Sequence, residues 1–148
     1  TNDAPSTITR LQNMGTPDYL ISAACQLVLA QRLARRTCKD CRVPDDDVNP
    51  KVLQDLGFSA EQASRAKAFK GKGCPKCKDT GYKGRQGIYE ILVVSKPLKE
   101  AILRQATTPE LREIAVKEGF QTMQDMGRRL ISSGDLNFRE YERVLTSE

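Results

Sequence analysis

Four of the five cysteines constrain this chain more than any other feature, because they form two pairs with the same spacing. The pairs are Cys38-Lys39-Asp40-Cys41 and Cys74-Pro75-Lys76-Cys77. Each CxxC pair can form a tight turn that points both sulfurs at one ion, and two such turns supply the four thiolates of a tetrahedral Zn²⁺ site. The chain contains no histidine. A metal site built on these pairs is therefore an all-cysteine site.

Basic residues next to the pairs favour a structural zinc. Lys39, Arg42, Lys76 and Lys78 flank the cysteines, and nearby positive charge favours the thiolate form and offsets the double negative charge of a four-thiolate zinc centre. A closed four-cysteine site has no free coordination position, so it would fold the polar segment between the pairs and would not catalyse a reaction. We predict one structural Zn²⁺ per chain, bound by Cys38, Cys41, Cys74 and Cys77.

Other uses of the four cysteines remain open. Two disulfides would also pair them, although an intracellular reducing setting disfavours disulfides. An iron–sulfur cluster also takes four cysteine ligands. A redox-active CxxC usually accompanies a thioredoxin-like βαβ pattern, which the sequence does not show. The fifth cysteine, Cys25, lies in an apolar helical pattern and is expected to be a small core residue.

The hydrophobic pattern predicts a mostly α chain with small β elements. Asp3 is expected to cap a first helix, and Thr16 to cap a second helix that has Pro17 in its first turn. Ser59 opens a helix between the cysteine pairs with capping-box spacing. Strands are predicted at 28–33, 68–70 and 87–94. After residue 95 the apolar spacing is helical, and four helices are expected there.

Composition and charge exclude few classes of protein. The chain has 148 residues and a net charge of +5, which is mildly basic and does not by itself indicate a nucleic-acid binder. The longest apolar stretch, 20–33, is interrupted by polar residues, so no transmembrane segment is predicted. No signal peptide is visible. Because the sequence begins with Thr1, we expect it to be a piece of a longer protein.

Four segments occur here in an order typical of one protein family. They read "TNDAPSTITRLQNMG", "QRLARRTCKDC", "GCPKCKDTGYKGRQGIYEIL" and "MQDMGRRLISSGDLNFREYERVL". In these segments the chain resembles the carboxy-terminal part of the hexameric secretion ATPases, namely the type IV pilus assembly ATPases (PilB-like) and the type II secretion ATPases (GspE-like). The resemblance covers nearly the whole chain. Its most specific part is the tetracysteine element followed by "TGYKGR".

The resemblance implies a RecA-like ATPase that forms a hexameric ring on the cytoplasmic face of a bacterial inner membrane, peripheral to that membrane. It implies two partners, the neighbouring subunits of the ring and an inner-membrane platform protein (PilC/GspF-like), and no nucleic acid. Residues 1–37 would be the end of the RecA-like core, 38–94 an inserted tetracysteine zinc-binding subdomain, and 95–148 a carboxy-terminal helical bundle. The related pilus retraction ATPases lack the tetracysteine loop.

The sequence departs from the family pattern in its nucleotide site. No G-x-x-x-x-G-K-[ST] occurs in it, and "GKGCPKC" has the wrong spacing. Phosphoryl transfer needs a phosphate cradle and a held Mg²⁺, so we predict that the isolated chain does not hydrolyse ATP, whereas its parent uses ATP and Mg²⁺. No catalytic residue is assigned. Thr1, Asn2 and Asp3 match the tail of the family's histidine box, although helix capping is the preferred interpretation for Asp3.

Two other functions compete with a secretion motor. A basic zinc module could bind nucleic acid through the residues around the second pair, but single-strand binders usually interleave aromatic residues, which are scarce here. "CPKCKDTGYKG" also resembles one CxxCxGxG repeat of DnaJ-type chaperones, with Asp79 in place of the first repeat glycine. Within the motor reading, the sequence does not separate pilus assembly from type II secretion.

Overall fold

A computed structural model describes residues 3–146. The described chain is mixed α/β, 49% helical and 20% strand. In chain order the elements are α1 (Ala4–Asn13), α2 (Asp18–Ala24), β1 (Leu27–Thr37), β2 (Arg42–Pro44), α3 (Pro50–Asp55), α4 (Ala60–Arg65), β3 (Phe69–Gly71), β4 (Tyr82–Val93), α5 (Lys96–Leu103), α6 (Thr108–Lys117), α7 (Met123–Ser133) and α8 (Phe138–Tyr141). A 3₁₀ turn at Pro75–Cys77 lies between β3 and β4, and a π-helical turn at Glu142–Thr146 follows α8.

The chain has more β structure than the predicted mostly α fold with small β elements. β1 has 11 residues and β4 has 12, so both extend well beyond the predicted 28–33 and 87–94. The basic residues Arg35 and Arg36 concealed the end of β1, where Ala34 directly before them and Thr37 directly after them are buried. Further towards the start of β1, Val28, Ala30 and Ala34 are buried between more exposed residues, the alternation that a strand with one packed face requires.

The strands form two separate two-stranded sheets, β1 with β4 and β2 with β3. β2 and β3 are antiparallel, with Val43 opposite Lys70. The β1–β4 pair is also antiparallel, because the Val94 N–H donates to the Gln26 carbonyl at one end and the Cys38 N–H donates to the Gly81 carbonyl at the other (both 3.0 Å).

Helix starts follow their local signals with one exception. The Asp3 carboxylate caps α1 by accepting the Ser6 N–H at 2.8 Å, and Ser59 and Gln62 form the predicted capping box on α4. The prediction for Thr16 was wrong, since Pro17 is the N-cap of α2 and no side chain caps that helix. Cys25, expected in the core, lies at the end of α2 and is partly exposed.

The described residues divide into two compact units. Unit 1 comprises 3–31 and 89–123, and unit 2 comprises 32–88 and 124–146. In unit 1 the apolar face of α5 is buried, namely Leu98, Ala101 and Ile102. Unit 2 buries an aliphatic core of its own, which includes Leu53, Ile88, Ile131, Leu136 and Leu145. The division into 1–37, 38–94 and 95–148 stays a prediction about the parent protein.

No helix in the described range 3–146 combines the length and the hydropathy that a bilayer crossing needs.

Candidate metal centre

The antiparallel β2–β3 pair brings the two cysteine pairs to the same place. Arg42, which follows Cys41 directly, is opposite Gly71. The Lys72 N–H donates to the Cys41 carbonyl at 3.1 Å. The end of the first pair therefore lies beside the residues that lead into the second pair. A polar excursion of some thirty residues separates the pairs in sequence, and this short sheet closes it.

Two glycines allow the backbones around the second pair to approach each other. A Cβ added to Gly71 would lie 2.0 Å from the Gly81 carbonyl oxygen, and one added to Gly81 would lie 2.7 Å from the Gly71 carbonyl oxygen. Gly81 also has a φ of +81°, which side chains rarely tolerate. Both positions therefore require glycine. These two glycines were not predicted as part of the site, although glycines that flank a cysteine turn are a usable signal.

The four sulfurs cluster at the distances of a tetrahedral ion site. The Sγ–Sγ separations are 3.8 Å for Cys38–Cys74, 3.8 Å for Cys41–Cys77 and 3.7 Å for Cys74–Cys77, and all four sulfurs lie within 4.8 Å of one another. A tetrahedron with Zn–S bonds of about 2.3 Å has sulfurs about 3.8 Å apart. The predicted ligands thus lie close enough to hold one metal ion, and their number and chemistry fit zinc.

The same distances bear on the disulfide alternative. A disulfide needs sulfurs about 2.05 Å apart, and all five cysteines of the chain are free thiols. The four clustered cysteines therefore converge as a set rather than as two bonded pairs. Cys25, at the end of α2, is not a member of the cluster.

Backbone N–H groups point at two of the sulfurs. Cys41 Sγ accepts the Gly73 N–H, and Cys77 Sγ accepts the N–H groups of Gly81 and Cys74, all at 3.3 Å. Burial raises the pKa of Cys77, but hydrogen bonds from the two N–H groups and from the side chains of Cys74 and Cys41 together outweigh burial and lower the pKa to about 6. Burial raises the pKa of Cys41 to about 12, although the Gly73 N–H opposes the rise. Cys77 is therefore the first of the two to ionise.

Two of the flanking basic residues have partners other than sulfur. Lys76 lies 3.6 Å from the Asp40 carboxylate, and both side chains are exposed, so this ion pair contributes little to stability. Arg42 donates to the Ser133 carbonyl at 3.2 Å and lies over the Phe69 ring. This contact was not predicted, since nothing local in the sequence connects Arg42 with a residue about ninety positions away.

The first residues of the chain bear on the histidine-box match. Thr1 and Asn2 lie outside the described residues. Asp3 caps α1 and also accepts a hydrogen bond from Arg112, at 2.7 Å between Nη2 and Oδ2. The capping interpretation of Asp3 is therefore confirmed, and the match of these three residues to the histidine box stays a prediction.

Comparison with known families decides the class of the protein. A family model described as "Type II/IV secretion system protein" matches residues 1–143. The chain belongs to this family. The resemblance inferred from the quoted segments is thereby confirmed for nearly the whole of the sequence.

Relatives of this type II/IV secretion system protein include both kinds of secretion ATPase. It is 37% identical over 140 residues to the type IV pilus assembly ATPase PilB of Myxococcus xanthus, covering 95% of this chain and 25% of that protein. It is 43% identical over 127 residues to PilB of Thermus thermophilus, covering 86% and 14%. It is 35% identical over 143 residues to the type II secretion system ATPase E of Vibrio cholerae, covering 86% and 28%. The chain thus spans about a quarter or less of the length of these relatives.

Proposed function

We propose that this chain is the carboxy-terminal part of a motor ATPase that powers type IV pilus assembly or type II protein secretion. The observation that carries the proposal is the family match over residues 1–143, joined by relatives that are named as ATPases of these two systems. In the proposal the parent is a RecA-like, ring-forming enzyme, cytoplasmic and peripheral to the inner membrane. Its partners are neighbouring subunits and the membrane platform protein. Neither a nucleic-acid module nor a DnaJ-like chaperone module is favoured by these relatives.

In this proposal Cys38, Cys41, Cys74 and Cys77 bind one structural Zn²⁺. The sulfur separations of 3.7–3.8 Å support it. Bound zinc would supply a closed four-thiolate coordination that ties the two turns together. The chain itself supplies the backbone donors that stabilise thiolate at two of the ligands, and the two glycines that let the turns approach. The element would thereby give the motor a rigid insert for contacts with a neighbouring subunit or the platform protein.

Hydrolysis of ATP is assigned to parts of the parent that this chain does not span. The 148 residues hold no phosphate-binding G-x-x-x-x-G-K-[ST] sequence, and phosphoryl transfer depends on such a cradle together with Mg²⁺. We expect the isolated chain to show no ATP turnover above a buffer blank, while the full-length parent hydrolyses ATP. Turnover by the purified 148-residue chain would contradict this assignment.

An exposed apolar surface in unit 1 fits a role as part of a larger body. On β1, Leu27 and Leu29 are each 54% exposed, and on β4, Ile91 and Val93 are 51% and 64% exposed. A two-stranded sheet is marginal by itself, and contiguous exposed aliphatic side chains on it usually mark a surface that another element covers. We assign this face to packing against the rest of the ATPase core.

The function can be tested in the bacterium that carries the gene. We would interrupt the gene and count surface pili by electron microscopy, and in parallel quantify proteins in the culture medium. Loss of pili with normal secretion would assign the motor to pilus assembly, and the reverse result would assign it to type II secretion. Each defect should be restored by the intact gene. Normal pili together with normal secretion would overturn the proposal.

A further inference from the structure

The side chain of Arg42 joins the cysteine cluster to the carboxy-terminal end of α7. Arg42 follows Cys41 directly, and its Nη1 donates to the Ser133 carbonyl at 3.2 Å. Its guanidinium carbon lies 5.4 Å from the centroid of the Phe69 ring on β3. A Cβ added to Gly134 would lie 2.6 Å from Nη1, so the next residue of the chain is also packed against this group. A cation at the end of a helix interacts favourably with the partial negative charge there.

Two further hydrogen bonds connect Asp135 and Asn137, which follow α7, to residues near the cysteine pairs. The N–H of Thr37, directly before Cys38, donates to the Asp135 carbonyl at 3.0 Å. The Asn137 amide nitrogen donates to the hydroxyl of Tyr82 at 2.8 Å, and Tyr82 is the first residue of β4, shortly after Cys77. Residues 133, 135 and 137 are thus each held by a residue next to one of the cysteine turns.

The contacts continue into α8. The Asn137 side chain caps α8 by accepting the Glu140 N–H at 2.8 Å. The buried Glu140 carboxylate then accepts hydrogen bonds from Arg35, and the Arg35 guanidinium lies 4.1 Å from the centroid of the Tyr82 ring. The placement of Asn137 therefore decides where α8 begins and whether Glu140 reaches β1.

We propose that metal binding at the four cysteines fixes the position of the 133–140 segment, and that Arg42 is one of the residues that transmit this effect. The inference rests on the proposed metal site. Its physical basis is the position of three residues relative to the ligands. Thr37 and Arg42 are adjacent to Cys38 and Cys41, and Tyr82 follows Gly81, whose N–H donates to Cys77 Sγ. An ion that joins the sulfurs fixes the relative positions of these three anchors. Without the ion these three residues are positioned only by the pairing of their strands, and the 133–140 segment is held less tightly.

The test is amide hydrogen–deuterium exchange on the 148-residue chain, with zinc bound and after zinc removal by a chelator. On removal, we expect the amides of 133–140 and of Thr37 to exchange about tenfold faster or more, whereas the amides of α5 in unit 1 keep their rates. Zinc content is measured by elemental analysis in the same samples. This readout does not depend on ATPase activity.

Arg42→Ala separates transmission from metal binding, because it leaves all four thiolates in place. We expect one zinc per chain as before, and exchange at 133–140 about three- to tenfold faster in the zinc-bound state, as the loss of one hydrogen bond allows. Arg65→Ala is the matched control, since Arg65 is an exposed arginine of the same unit that pairs with Glu61. Arg65→Ala should change neither the zinc content nor the exchange rates at 133–140.

Three results would overturn the inference, and they differ from one another. If zinc binds one per chain but its removal leaves exchange at 133–140 unchanged, the metal site stands and the coupling fails. If removal accelerates the amides of α5 equally, the chain unfolds as a whole and no specific coupling exists. If the chain binds no zinc at all, the proposed metal site fails and the inference fails with it.

Discussion

Among the described residues, each of the two units buries one glutamate, and the two carboxylates have opposite pKa shifts. In unit 1, Glu90 is 2% exposed, and its carboxylate accepts the N–H groups of Ala4 at 3.1 Å and Met123 at 3.2 Å. These are the first residues of α1 and α7, so a strand residue binds the starts of two helices. Burial raises the pKa of Glu90, although the two N–H donors oppose the rise.

In unit 2, Glu140 is fully buried but has two arginine partners. Arg143 donates at 2.7 and 2.8 Å, and Arg35 donates at 2.8 and 3.2 Å. Hydrogen bonds from Arg143, and then from Arg35, lower the pKa of Glu140 to about 2 despite its burial. Both guanidiniums are half exposed, so they neutralise the carboxylate without being fully desolvated themselves.

The difference shows what compensates for a buried charge. A helix N-terminus offers roughly half a positive charge, and two of them do not offset the desolvation of Glu90. Two full guanidiniums do offset that of Glu140. Unit 2 therefore compensates its buried carboxylate with two specific charged partners, whereas unit 1 tolerates one poorly compensated carboxylate.

The largest effect on stability should come from a cysteine substitution in unit 2. Cys74→Ser removes one ligand of the proposed zinc site, and we expect the unfolding free energy of unit 2 to fall by several kcal/mol, because metal binding and folding are coupled. Cys25→Ser in unit 1 is the matched control and should stay within about 0.5 kcal/mol. Urea unfolding with zinc present measures both. Equal losses for the two variants would remove the distinction between the units.

Glu140→Gln should have the next largest effect. It leaves Arg35 and Arg143 without their carboxylate, and breaking a buried ion pair costs about 3–5 kcal/mol. Since both arginines are half exposed and can be hydrated, we expect a smaller loss, about 2–3 kcal/mol. Urea unfolding at pH 7 gives the value. A loss no greater than that of Arg65→Ala, an exposed arginine in the same unit, would show that the network adds nothing.

The sequence predicted the cysteine cluster well because CxxC spacing is local and its chemistry leaves few alternatives. Helix caps at Asp3 and Ser59 were predictable for the same reason. The long strands were predicted only in part, since charged residues in β1 hide an alternation that tertiary packing enforces. The contact of Arg42 with Ser133 and the contact of Glu140 with Arg35 could not be predicted, because each joins positions about ninety or more residues apart and depends on the complete fold.

The pH dependence should have opposite signs in the two units. The pKa of Glu140 lies below its usual value of 4.5, so its contribution to stability is present above about pH 4.5 and is lost as pH falls towards 2. The pKa of Glu90 is raised, so the stability linked to it is present below about pH 4.5 and is lost as pH rises through its folded pKa. The difference in unfolding free energy between wild type and Glu140→Gln, and that between wild type and Glu90→Gln, should therefore change with pH in opposite directions. Taking these differences cancels the destabilisation caused by loss of zinc at low pH, which all three proteins share. If both differences changed with pH in the same direction, the predicted contrast between Glu90 and Glu140 would be contradicted.

Glu90→Gln should have the smallest effect at neutral pH, because two consequences oppose each other. The exchange removes a charge that burial disfavours, which stabilises unit 1. It also replaces one acceptor oxygen with an NH₂ group, which cannot accept the N–H of Ala4 or Met123 and leaves one helix start unsatisfied, at a cost of about 1–3 kcal/mol. We expect the unfolding free energy to change by less than about 1 kcal/mol. Faster amide exchange at one of the two helix starts should accompany it. A loss as large as that of Glu140→Gln would mean that the two helix starts together compensate a buried carboxylate as well as two guanidiniums do.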